Sequence, residues 1–87
     1  MVFRDKVLGS LGSKIREERL EKSMSQEELS HRAGLDRSYV GGVERGERNV
    51  SAVNLVRIAV GIGVPLSSLF AEVDSEIKPY EYSDLPR

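Results

Sequence analysis

An all-α domain of five short helices is the fold the sequence predicts. Three observations carry that expectation. Phe3, Val7, Leu11 and Ile15 recur every four residues, the spacing of one face of a helix. Ser25 is followed three positions later by Glu28, the spacing of a reciprocal N-terminal cap. No pair of segments alternates apolar and polar residues as half-buried strands do.

The elements follow in order. The four-residue recurrence, with Leu8 alongside, predicts a first helix over about residues 4–22, although Gly9 and Gly12 weaken its early turns. The Ser25 cap starts a second helix over 25–33, with Leu29 and Ala33 facing inward and Gly34 as its left-handed exit. Asp36 then caps a third helix after a turn of only Gly34 and Leu35. Val40 and Val43 form its buried stripe, and Gly46 ends it with Arg45 near the negative end of the dipole. Gly41 and Gly42 sit in its interior, where each costs about 1 kcal/mol relative to alanine. Ser51 caps a fourth helix bearing Val53, Leu55, Val56, Ile58, Ala59 and Ile62, which stops near Gly61 and Gly63. A fifth, over 66–71, follows Pro65. Residues 1–71 therefore make the folded domain. Residues 72–87, with two prolines and five acids, read as an acidic tail or arm.

Composition excludes several classes of function. Eighty-seven residues allow one small core. There is no cysteine, hence no disulfide scaffold, thiolate zinc site or cysteine nucleophile. A lone His31, flanked by Ser30 and Arg32 away from the inward stripe, supports neither a metal set nor a general base, so the chain reads as no enzyme and as needing no cofactor. Gly61-Ile62-Gly63 is too short for a dinucleotide fingerprint. No apolar run is long enough for a membrane span or a secretory signal, which points to a cytoplasmic protein. The net charge of −1 hides a gradient: residues 1–60 carry 11 Lys/Arg against 9 Asp/Glu, and residues 61–87 carry 2 against 5.

Two short helices joined by so tight a turn must cross steeply, and such a pair can lay its second helix in the DNA major groove while the first braces on the backbone. The outer side of the third helix and its exit loop offers Arg37, Ser38, Gly41, Arg45, Arg48 and Asn49, with Tyr39 at the flank. Arginine suits bidentate contact with guanine or phosphate. The helix starts capped by Ser25 and Ser51 are natural phosphate seats. The plain alternative is a solvated helix face. The glycine pair shifts the balance toward close approach to a ligand, with tight packing on the second helix as its rival explanation.

Residues 11–70 resemble the helix-turn-helix domain of the Cro and phage-repressor (XRE) family, the lambda-repressor-like fold. The matching elements are Ile15-Arg16, Met24-Ser-Gln-Glu-Glu-Leu29, Ala33-Gly34 and Val43-Glu44-Arg45-Gly46. The stretch from Gly34 to Ser51 is most similar to restriction–modification controller proteins. That resemblance implies a dimeric regulator of its own promoter, bound to a two-fold symmetric double-stranded operator, with RNA polymerase as a further partner. It makes Gln26 a phosphate contact that braces the third helix, Arg37 and Ser38 base readers, and Tyr39 a backbone or groove contact. Arg45, Arg48 and Asn49 become phosphate or groove contacts, and Arg16 with Glu44 an internal ion pair tying the first helix to the third. Gly42 departs from phage repressors, which often carry a base-reading side chain there, so bending of the DNA has to supply part of the specificity.

One such unit contacts too few bases for useful specificity, so two are expected, reading half-sites about 34 Å apart. Val64, Leu66, Leu69 and Phe70 are the candidate dimer interface, with ordinary core packing as the alternative. Two other functions fit the same residues. One is an antitoxin or phage-type repressor whose tail binds a partner. The other is a protein-interaction adaptor whose polar third helix faces a protein.

Overall fold

The computed structural model describes residues 3–86; Met1 and Val2 of the expected domain, and Arg87 at the end of the expected tail, lie outside them. Six α-helices occur among the described residues: α1 (Phe3–Glu21), α2 (Gln26–Ala33), α3 (Arg37–Glu44), α4 (Ala52–Ile62), α5 (Leu66–Leu69) and α6 (Ala71–Ile77). A single 3-10 turn, Tyr82–Asp84, closes the chain. No strand is present among them, and no helix is long and apolar enough to cross a membrane.

The caps explain where the helices begin. Ser25 Oγ accepts from the Glu28 amide at 2.9 Å, and Ser51 Oγ accepts from the Asn54 amide at 3.1 Å. Glu28 does not complete a reciprocal box; its carboxylate lies 3.9 Å from Arg32, one turn along. Asp36 has the extended backbone of an N-cap, and its carbonyl accepts from Val40. Its side chain makes no capping bond, however, and acts only as a negative charge at a helix start. Gly34, at φ 68° and ψ 38°, turns the chain out of α2, and the Leu35 amide returns to the Ser30 carbonyl at 2.9 Å.

The core draws on every helix. Leu11 and Ile15 of α1, Leu29 and Ala33 of α2, Val40 and Val43 of α3, Leu55, Ile58 and Ile62 of α4, Leu69 of α5 and Val73 of α6 form one cluster. Gly12 lets α1 and α3 meet backbone to backbone. A Cβ there would stand 2.6 Å from the Glu44 carbonyl oxygen and closer still to that of Val43, so no larger residue fits.

The acidic C-terminal segment does not begin as a tail. Residues 71–77 are helical and pack along α1, with Val73 buried in the common core. Beyond them the Tyr80 ring meets Phe3 edge-on, centroids 5.2 Å apart at 86°. The stripe Leu69, Val73, Ile77 supplies the physical reason, since apolar residues four apart give a helix a face to bury.

Candidate nucleic-acid interface

A buried ion pair holds α3 in place. Arg19 donates from Nε to Glu44 Oε2 at 2.7 Å and from Nη2 to Oε1 at 2.9 Å, a two-bond fork, and its Nη1 donates to the Met24 carbonyl at 2.7 Å. Arg19 is 6% exposed and Glu44 7%. The partner of Glu44 is therefore Arg19 and not Arg16, which is exposed. The geometry of α1 requires this: residue 19 lies one turn beyond Ile15 on the inward stripe, whereas residue 16 is turned about 100° away from it. The expected tie between the first and third helices exists, through a different arginine.

The same carboxylate reaches α2. Gln26 Nε2 donates to Glu44 Oε1 at 3.0 Å, which places the Gln26 amide at the start of α2 beside the outer face of α3. On the other flank, Asn54 Nδ2 in the first turn of α4 donates to the Tyr39 hydroxyl at 3.2 Å. Asn54 belongs to this surface although the sequence reading passed over it; its place at the third position after the Ser51 cap was the available signal. The starts of α2 and α4 thus flank α3.

Arg37 and Ser38, in the first turn of α3, are exposed, as are Arg45, Arg48, Asn49, Ser25 and Ser51; Tyr39 and Gln26 are half-buried. Arg45 donates from Nε to Glu47 at 3.1 Å, and that bond, reinforced by the Glu47 charge, raises the guanidinium pKa above its ordinary value. The Arg48 guanidinium lies over the Tyr39 ring, 5.8 Å from its centroid. Outer α3 and its exit loop therefore present three arginines, a serine and an asparagine in one region. Of the three acids adjacent to them in sequence, Glu44 is turned inward and neutralised by Arg19, whereas Asp36 and Glu47 are exposed. His31 is exposed on α2, in a shallow depression with Lys22, Glu28 and Val60.

The four residues expected at a dimer interface divide. Leu69 is 0% exposed and belongs to the core with Val73, so it is not available to a partner. Val64 is half-buried against the same core. Leu66 and Phe70, four residues apart, remain exposed and line a shallow apolar groove with Val50 and Val56. Val56 continues into a second apolar strip with Val53 and Val60 along the outside of α4. Val53, Val56 and Val60 of α4 are thus all exposed, and Val56 joins the two strips.

A helix-turn-helix family profile matches residues 15–69. The control protein C.MunI of Mycoplasma sp is 44% identical over 66 residues, covering 75% of this chain and 89% of that protein. Among solved structures, the restriction–modification controller C.AhdI of Aeromonas hydrophila superposes with a TM-score of 0.71 at 51% identity, covering 72% of this chain and 96% of that one. The controller C.Esp1396I, solved as a tetramer with its natural 35 base-pair operator, superposes with a TM-score of 0.74 at 35% identity, covering 90% and 99%.

Proposed function

Because the chain belongs to the Cro and phage-repressor type helix-turn-helix family that includes the restriction–modification controllers, we propose that it is a dimeric, sequence-specific DNA-binding regulator of transcription acting at its own promoter. The observation that carries this reading is the clustering of Arg37, Ser38, Arg45, Arg48 and Asn49 on outer α3 and its exit loop, between the capped starts of α2 and α4. In it, α3 enters the major groove, and Arg37 and Ser38 meet base edges. Gln26, Arg45 and Asn49 hold phosphates, together with the free amides at the starts of α2 and α4 behind Ser25 and Ser51. No cofactor and no catalytic step enter the account. In this reading the protein acts in the cytoplasm, with RNA polymerase as a further partner.

If each subunit neutralises about four phosphates, log K against log salt for the dimer should have a slope of about −7. Equilibrium titration of a labelled operator at several salt concentrations reads it. A slope near zero would favour the adaptor reading, in which the polar face of α3 meets a protein.

The second copy docks on the exposed apolar face of Val56, Leu66 and Phe70. A two-fold interface uses each residue twice, so Phe70→Ala should weaken the dimer by about 2–4 kcal/mol, roughly 30- to 1,000-fold. Sedimentation equilibrium measures this. A dimer of unchanged strength would place the interface elsewhere.

A further inference from the structure

The outside of α4 carries more apolar surface than Val56, Leu66 and Phe70 account for. Val53 and Val60, on the same side of the helix as Val56, are 68% and 73% exposed. With Ala33 at the end of α2 the three valines line a shallow groove whose polar members are Arg32 and Arg57. A backbone carbonyl steadies each arginine: Arg57 Nη1 donates to Ala33 at 3.3 Å, and Arg32 Nη1 to Gly61 at 3.2 Å. Among the described residues Arg57 pairs with no acid, and Arg32 has only Glu28 at 3.9 Å. The groove is an apolar strip flanked by two cations.

The C-terminal segment has the complementary make-up. Past Tyr80, which packs on Phe3, come two acids, Glu81 and Asp84, each followed by a large apolar residue, Tyr82 and Leu85. The Glu81 amide donates to Asp84 Oδ2 at 2.9 Å, which holds the segment in its 3-10 turn. Tyr82 is 83% exposed there, and Leu85 is exposed as well.

Strip and segment border the same face from two sides. The groove of Leu66 and Phe70 is edged by Val56 of α4, which it shares with the strip, and by Val7 and Leu8 of α1. The C-terminal segment lies on those first turns of α1, where Tyr80 and Asp84 flank Lys6. A two-fold axis running between the two borders sets each border of one copy against the opposite border of the other.

From this arrangement we infer that the dimer is clasped by exchanged arms. Residues 81–86 of each copy cross to the other, seat Tyr82 and Leu85 on Val53 and Val60, and bring Glu81 and Asp84 to Arg32 and Arg57. This rests on the dimer proposed above and extends its interface. The exchange is reciprocal, so the assembly closes at two copies. Strip-to-strip pairing is the poorer use of the same surface, because α4 against α4 about an axis at Val56 sets Arg57 beside its own twin, a repulsive contact.

The chain has no cysteine, so the contact can be read by cross-linking. Val60→Cys and Tyr82→Cys, both at exposed positions, are made as separate proteins, mixed and mildly oxidised. The mixture should yield a disulfide-linked pair well beyond what either protein forms alone. Sedimentation equilibrium of a chain ending at Tyr80 should show a dimer weakened on the order of tenfold or more, with an unchanged helical circular dichroism spectrum. Reversing the groove charges (Arg32→Glu with Arg57→Glu) or the arm charges (Glu81→Lys with Asp84→Lys) should weaken it too. The two reversals combined should return it to within about threefold of wild type.

Full dimer strength in the shortened chain, or charge reversals whose losses multiply when combined, overturns the inference. So does a mixture that cross-links no better than its components. A double Val60→Cys, Tyr82→Cys variant that closes only within one chain overturns it as well, since the arm then lies on its own groove. Phe70→Ala measured alongside separates the two levels. If it weakens the dimer while shortening does not, only this inference fails; if the full chain sediments as a monomer, the dimer reading fails and this one with it.

Discussion

Arg19→Ala is expected to destabilise the domain by about 3–5 kcal/mol, a large part of what a domain this small possesses. The reason is what the substitution leaves behind. Glu44 stays 7% exposed with its charge, loses both bonds of the Arg19 fork, and retains only the single bond from Gln26. The Met24 carbonyl loses its donor at the same time, at the entry to α2. Urea denaturation followed by circular dichroism gives the difference directly. Arg16→Ala is the control and should fall within about 0.5 kcal/mol of wild type, since Arg16 is exposed. The reverse ranking would mean that Arg16, as the resemblance implied, holds Glu44 in solution. Replacing Arg19 and Glu44 together by methionine and leucine should recover much of the loss, because it removes the stranded charge and not only its partner.

The largest effect on binding is expected from Arg37→Ala. A bidentate arginine–guanine contact is worth about 1–3 kcal/mol, and a dimer makes it twice, so the operator complex should weaken by about 2–6 kcal/mol. The loss should be confined to one base-pair position in each half-site, with affinity for unrelated duplexes nearly unchanged. Arg45→Ala, by contrast, should weaken all sequences alike and flatten the salt dependence. Its guanidinium sits at the helix end, tethered to Glu47, where a phosphate is the fitting anion. Equal loss of discrimination in the two variants would contradict this division of roles.

Much of this architecture is visible in the residues before any coordinates. Ser25 and Ser51 announce their helices because a hydroxyl three residues ahead of an amide is a local interaction that needs no knowledge of the rest of the chain. Asp36 shows the limit of that logic, since the residue type permits a cap whose side-chain bond is not made. The recurrence Phe3, Val7, Leu11, Ile15 also contained the answer to the ion pair: its next member is Arg19. A charged residue on an apolar stripe marks a buried pair, but the resemblance drew attention to Arg16 instead.

The C-terminal stripe Leu69, Val73, Ile77 was legible in the same way. Proline and acid content masked it, although Pro79 comes only after the helix has ended. What the sequence could not display is which of several apolar residues finds a partner within the chain. Leu69 is in the core while Val53, Val56 and Val60 are outside, a distinction that depends on where α1 and α6 lie. What covers Gly41 and Gly42 was hidden for the same reason, because the side chains of Arg45 and Arg48 come from four and six residues further along and fold back over them.

The most direct test of the central claim is selection from a random duplex library by the wild-type protein, repeated with Arg37→Ala. The account predicts a recovered motif of two inverted half-sites with centres about one helical turn apart, roughly 34 Å. It also predicts that the motif from Arg37→Ala loses its preference at one position per half-site. Recovery of no motif, or of one lacking two-fold symmetry, would contradict a dimeric operator-binding regulator.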